Sequence, residues 1–333
     1  MPTERLCGEV KVIGPWWSAI VHRLWQATRA IVERHASLPS KLVMARLEIT
    51  RQPAQMTSVS VLVALGILIV AVGLTCTALF GPTLARLWRR QRIARQPFPT
   101  AWRDIVRRRV PLVSELPAAE QLRLKKHIQV LLREVPFIGC AGLEVTDEVR
   151  VTVAAQAAFL LLGRGGSFGN LREVLVYPGH FVVPRTEAGA GGVVHQGRDV
   201  LAGQSWQRGQ VIVAWAAVQE GAADPHDGAN VVMHEFAHQL DQDTGAANGA
   251  PYVGRGAVQQ DWARVMNQEF DALRARLMRE EPGLIGSYAG TSPAEFFAVT
   301  TELFFERPDA LAAERPALYE QLKRCYRLDP SAW

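Results

Sequence analysis

The 333-residue sequence predicts an α+β fold, mainly helical, in which one transmembrane helix precedes a domain built around a small β-sheet. Three observations carry this. Residues 59–80, VSVLVALGILIVAVGLTCTALF, form an uncharged apolar run of 22 residues, and about 20 suffice to cross a bilayer. Beyond residue 97, long stretches with apolar residues at three- and four-residue spacing outweigh three short β-branched runs. Apolar residues make up 48% of the chain, ample for a core.

In order, residues 1–58 are a leader whose PWW and IVHRLWQATRAIVERH segments suit either a short amphipathic helix on a membrane surface or a poorly ordered tail. Met56 stands just before the apolar run, so translation starting there would leave the leader out. The run at 59–80 is too long for the 7–15-residue core of a signal peptide, and no clear A-x-A site follows it. A basic juxtamembrane segment, residues 81–96, comes next. Residues 86–109 hold nine arginines against one aspartate, a local +8 within a chain of net +5. The cations are denser after the span than before it, where Lys41, Arg46 and Arg51 are the nearest. The positive-inside rule therefore places the C-terminal domain in the cytoplasm. Anionic headgroups explain these arginines better than nucleic acid does, since no aromatic interleaving accompanies them, and no direct nucleic-acid binding is expected.

The domain proper is expected at 97–333, after Pro97-Phe98-Pro99. Residues 116–135 read as an amphipathic helix and 144–163 as a more buried one. GRGGSFGN after the latter is glycine-rich but lacks the G-K-[ST] of a phosphate-binding loop, and reads as a connection, as does AGAGG at 188–192. VLVYP (174–178), FVV (181–183) and VIVAW (211–215) suggest a small sheet. Helices are expected at 231–241, 257–278 and 292–308, and a broken helix at 310–326. Cys7, Cys76, Cys140 and Cys325 are scattered, which excludes a disulfide framework or thiolate metal site and suits a reducing compartment.

The chemistry concentrates in VVMHEFAHQLD, residues 231–241. His234, Glu235 and His238 form H-E-x-x-H, and residues four apart share one face of a helix. Two imidazoles so placed can bind one Zn²⁺, with Glu235 positioned as a proton acceptor. A catalytic zinc site usually needs a third protein ligand. A histidine six residues after His238 is ruled out, because Thr244 stands there. Asp241 lies one turn beyond His238, too far round a continuous helix, and reads as orienting an imidazole or a nearby cation. Glu295, in SPAEFFA, is the leading candidate. Ser292 and Glu295 also fit an S-x-x-E capping box with Pro293 at the first helical position. Glu302, seven residues on, shares the face of Glu295 and is either a rival ligand or a hydrogen-bond partner.

The segments PFPTAW, IGCAGLEVTDEVR, YPGHFVVPR, GANVVMHEFAHQLD, ANGAP and YAGTSPAEFFAVTTELFFERP occur in this order between residues 97 and 308. Through them the chain from about 97 to 330 resembles the Mlc titration factor A family of zinc-dependent peptidases, peptidase family M90. The family's core is similar to the anthrax lethal factor metallopeptidase. The resemblance implies a zincin-like metallopeptidase domain of gluzincin type, with His234, His238 and Glu295 as zinc ligands, Glu235 as catalytic base and Tyr288 as a catalytic hydroxyl. Tyr288 could otherwise be a packed turn residue. A peptide or protein substrate is implied, with aminopeptidase action and internal cleavage as the two expectations. Family members can also sequester a glucose-responsive transcriptional repressor, a role needing no catalysis. With the span, this gives an expected single-pass protein of a bacterial inner membrane. Two features depart from the family: LAGQSW puts Gln204 where an LSGEAW-like stretch carries an acid, and soluble enterobacterial members lack the span.

Overall fold

Apolar residues on every face, and no charge before Arg86, make residues 58–94 one helix, α1 (Ser58–Ala94), of 37 residues. Leu65–Ala94 is the one stretch among the described residues long and apolar enough to cross a membrane. Within it Leu65, Ile67, Leu68 and Leu74 are each at least half exposed. The structure, a computed structural model, describes residues 58–179, 181–188, 194–201, 203–206, 209–245 and 247–333. The leader expected at 1–58 lies outside them except for its last residue.

The chain divides into two compact units, Met1–Gly81 and Pro82–Trp333. The described part of the first is the helical stretch 58–81. The second unit begins with the basic end of α1, which is helical to Ala94 and buries Ile93. The Gln129 side-chain amide donates through Nε2 to the carbonyls of Gln96 (3.1 Å) and Pro97 (3.3 Å), fixing the exit from that helix.

The unit is mainly helical around a small sheet. After α2 (Thr100–Arg109), α3 (Ala118–Glu134) and β1 (Phe137–Gly139) comes α4 (Asp147–Phe159). Its charges stop at Arg150, and every residue from Val151 to Phe159 is buried, so α4 is a core helix. Strands β2 (Glu173–Tyr177), β5 (Gly203–Trp206) and β6 (Gln210–Ala214) join β1 in a four-stranded sheet of order β1-β2-β6-β5. In that order the first three are parallel, and β5 is antiparallel to β6. Val174, Val176, Val211 and Val213 are fully buried, as expected of parallel strands covered by helices. A separate hairpin, β3 (Phe181–Ala188) with β4 (Val194–Leu201), pairs Phe181 with Leu201.

Strand β6 passes directly into α5 (Trp215–Ala223). Helices α6 (Val231–Asp241), α7 (Ala257–Met278), α8 (Pro293–Glu306), α9 (Pro308–Glu314) and α10 (Pro316–Tyr326) complete the unit. The break expected within 310–326 falls at Arg315, where Pro316 cannot supply an N–H to the preceding turn. Helices α6 and α8 pack against each other, and their contact positions the site.

Candidate metal centre

Asn230 starts α6: its Oδ1 accepts the Met233 N–H at 3.0 Å. Val232, Met233, Phe236, Ala237 and Leu240 then sink into the core, which leaves one face for His234 and His238. Their ring centroids lie 4.9 Å apart with planes at 81°.

Ser292 starts α8 by accepting the Glu295 N–H at 3.2 Å, with Pro293 in the first turn. The cap uses only the backbone of Glu295, so its carboxylate is free to reach α6. Glu295 Oε2 lies 2.9 Å from His234 Nε2 and 3.5 Å from His238 Nε2. Cap and histidine partner, alternatives in the sequence, are compatible here. One donor atom from each of His234, His238 and Glu295 falls within 4.8 Å of the others.

Glu302 faces the same imidazole from behind. Its Oε1 accepts from His234 Nδ1 at 2.8 Å, which leaves Nε2 pointing at Glu295. Its Oε2 accepts the Asn230 N–H at 2.5 Å. Asn230 Nδ2 in turn donates to Glu306 Oε1 (2.9 Å) and the Gly221 carbonyl (3.1 Å). Sequence reasoning missed Asn230 and Glu306. An Asn directly before an apolar helical run is an N-cap signal that could have drawn attention to Asn230. Glu306 offers no such signal.

Asp241 ties the end of α6 to the loop that packs against the start of α8. Its carboxylate accepts the N–H groups of Gly249 (2.7 Å) and Ala250 (2.8 Å). Gly249 adopts φ +74°, and a Cβ there would stand 2.4 Å from the Pro293 carbonyl at the start of α8. The close approach requires glycine. Tyr288 sits in a 3₁₀ turn, Ser287–Gly290, exposed, its ring centroid 5.9 Å from that of His234. The buried Arg276 guanidinium holds the preceding loop by donating to the Glu281 carbonyl (3.3 Å) and to that of Ile285.

The electrostatics match this packing. Burial resists charging of His234, but hydrogen bonds to Glu295 and Glu302 outweigh it and raise the imidazole to about 10. Burial likewise opposes ionisation of Glu295, yet the two histidines hold it well below the usual carboxylate range. Glu235 is pushed up to about 7, chiefly by burial and against the attraction of His234 and His238. His238 Nδ1 and Glu235 Oε2 are buried with no hydrogen-bond partner among the described residues.

Two imidazoles and a carboxylate are the donor set of a catalytic zinc site with a position open for water. The charge shared between His234 and Glu295 is one that a divalent cation would take over, releasing the proton. The residues present therefore fit a metal ion.

Comparison with known proteins agrees. A family model described as glucose-regulated metallo-peptidase M90 matches residues 85–327. The protein slr2042 of Synechocystis sp. is 39% identical over 245 residues, 73% of this chain and 89% of its own. Proteins named Mlc titration factor A from Yersinia pestis and Yersinia pseudotuberculosis are each 33% identical over 227 residues, 67% of this chain and 83% of theirs.

Proposed function

Because the chain belongs to the glucose-regulated metallo-peptidase M90 family, we propose that it hydrolyses peptide bonds at the His234–His238–Glu295 centre, within a zincin-like core. The observation that carries this is the convergence of three donor atoms from two helices within 4.8 Å. These three residues would hold zinc. Bound there, zinc supplies Lewis-acid polarisation and a water acidic enough to act near neutral pH.

The chain's own groups then have distinct tasks. Glu235, raised to about 7, accepts a proton from the attacking water at its carboxylate and delivers it to the leaving amine. Burial tunes it for both steps, since an acid of ordinary strength would hold the proton too weakly. The Tyr288 hydroxyl, on an exposed turn whose ring flanks His234, donates to the developing oxyanion of the scissile carbonyl. Glu302 keeps the His234 ring oriented through Nδ1. The apolar helix α1 anchors the domain to a bacterial inner membrane, and the arginine excess after it supports a cytoplasmic active site.

Glu235→Gln preserves size and leaves the ligands intact. Zinc content measured on the purified chain should be unchanged, while peptide hydrolysis falls by roughly a hundredfold or more. Undiminished turnover would refute the base assignment.

A second reading is favoured by the name Mlc titration factor A carried by the Yersinia relatives. The same domain would sequester a transcriptional repressor, with or without hydrolysis. Repressor retention by a His234→Ala/His238→Ala chain, compared with wild type in a pull-down, separates capture from catalysis.

A further inference from the structure

The arginines at the end of α1 do more than form a patch. Arg86, Arg89 and Arg90 line a cavity of about 200 Å³ together with His127, Glu134 and Ser167. At roughly 30 Å³ per water it has room for a phosphate group with part of its hydration. The glycine-rich segment that matched no nucleotide loop supplies another wall, through Gly166 at φ +75° and Gly169.

Its charges are unequal in their commitments. Glu134 accepts three hydrogen bonds from Arg90, Nε to Oε1 at 2.9 Å, Nε to Oε2 at 3.0 Å and Nη2 to Oε2 at 2.7 Å, and lies 3.5 Å from Arg89. Burial works against it, but the two guanidinium groups keep Glu134 ionised. Arg86 has no hydrogen bond or ion pair among the described residues. Three cations thus face one anion. Burial, with Arg123 and Lys126 close by, holds His127 down to about 4, so its ring is neutral and can donate an N–H.

The location selects among anions. Five residues separate Arg86 from Phe80, the end of the apolar run. Leu84, Leu87 and Trp88 are 50–69% exposed on the same stretch, the side chains expected at a lipid interface. We infer that this cavity is a binding site for a phosphate group, and that its source is the headgroup of an anionic phospholipid. The inference rests on the membrane-anchoring part of the proposed function and is independent of the metal centre. Arg86 and the Ser167 hydroxyl supply the free donors, while Glu134 fixes Arg90.

The full-length chain in uncharged detergent micelles is titrated with phosphatidylglycerol, phosphatidylcholine or inorganic phosphate, and bound ligand is read by native mass spectrometry. Arg86→Ala should weaken phosphatidylglycerol binding about fivefold, the worth of one basic side chain near an anionic surface. Ser167→Glu, which adds a negative charge to the wall, should weaken it further. Arg95→Ala, an exposed arginine outside the cavity, should leave it unchanged. Equal losses from Arg86→Ala and Arg95→Ala would overturn the site in favour of diffuse attraction. Binding of inorganic phosphate without phosphatidylglycerol, dependent on Arg86, would overturn the lipid source. Release of wild-type chain from membranes by alkaline wash would overturn the anchoring and with it the argument for a lipid source, while the titration, which needs no bilayer, separately reads whether the cavity holds a phosphate.

Discussion

Helices α6 and α8 meet at the same three side chains but are built on different terms. Helix α6 carries its chemistry as a repeat: His234 and His238 share a face because of their spacing, and Glu235 turns inward beside them. Helix α8 carries three carboxylates on one face, Glu295, Glu302 and Glu306, and each has a different fate. Glu295 is held ionised by two imidazoles, Glu302 accepts from an imidazole and a backbone N–H, and Glu306 is pushed up to about 8. Identical side chains one or two turns apart thus differ because their surroundings do. Imidazoles favour the anion near the helix start, and burial among other acids disfavours it near the helix end.

The comparison breaks most severely at Glu295. Glu295→Gln keeps the Ser292 cap, which needs only the backbone N–H, but removes the anionic donor. Metal analysis should find the purified chain depleted of zinc while its melting cooperativity is retained. Full zinc occupancy would show that the carboxylate is not a ligand. Glu302→Gln is gentler, because the change spares the three donor atoms and alters only what holds His234 from behind. Zinc affinity, read by chelator competition, should fall about 10- to 100-fold. An unchanged affinity would reduce Glu302 to a packing role.

How much of this was legible in sequence follows the same division. The α6 triad needed only local spacing, and the start of α8 was marked by Ser292 and Pro293. The expected range ran to 308, but the helix stops at Glu306, before Pro308 opens the next one. The 257–278 helix also coincides with its expected range, since its apolar stripe is continuous. Helix α5 was not read, because VIVAW runs from strand into helix without a polar cap between them. Strand β1 is three residues long and is defined by its pairing with Val174–Val176, a tertiary fact. Helix α2 buries only Ile105 and Val106, too little for a visible stripe. At the site, the reach of Glu302 to Nδ1 and the link from Asn230 to Glu306 depend on how the two helices are set against each other. Asp241, Gly249 and Pro293 fix that setting through contacts no periodicity encodes. The repressor, the substrate and the cleavage position leave no local pattern.

The smallest expected effect on the metal is at Glu306, where the comparison becomes a matter of pH. Burial is the main cause of its rise from 4.5 to about 8, reinforced by Asp227 and Glu302 and opposed by the Asn230 hydrogen bond. The folded chain therefore binds this proton more tightly than the unfolded chain does. The associated stability is fully present below about 4.5 and is lost as pH climbs through about 8. Glutamine imitates the protonated acid: it keeps a carbonyl for Asn230 Nδ2 and has no charge to develop. Glu306→Gln should match wild type in urea unfolding at pH 5 and exceed it at pH 9 by an amount on the order of a few kcal/mol. Zinc affinity at pH 7 should stay within about twofold, because the neutral group still holds Asn230, and through it Glu302, in place. Parallel stability curves for the two chains from pH 5 to 9 would mean that Glu306 is already ionised in the folded state. In that case the contrast with Glu295 would have to come from hydrogen bonding alone.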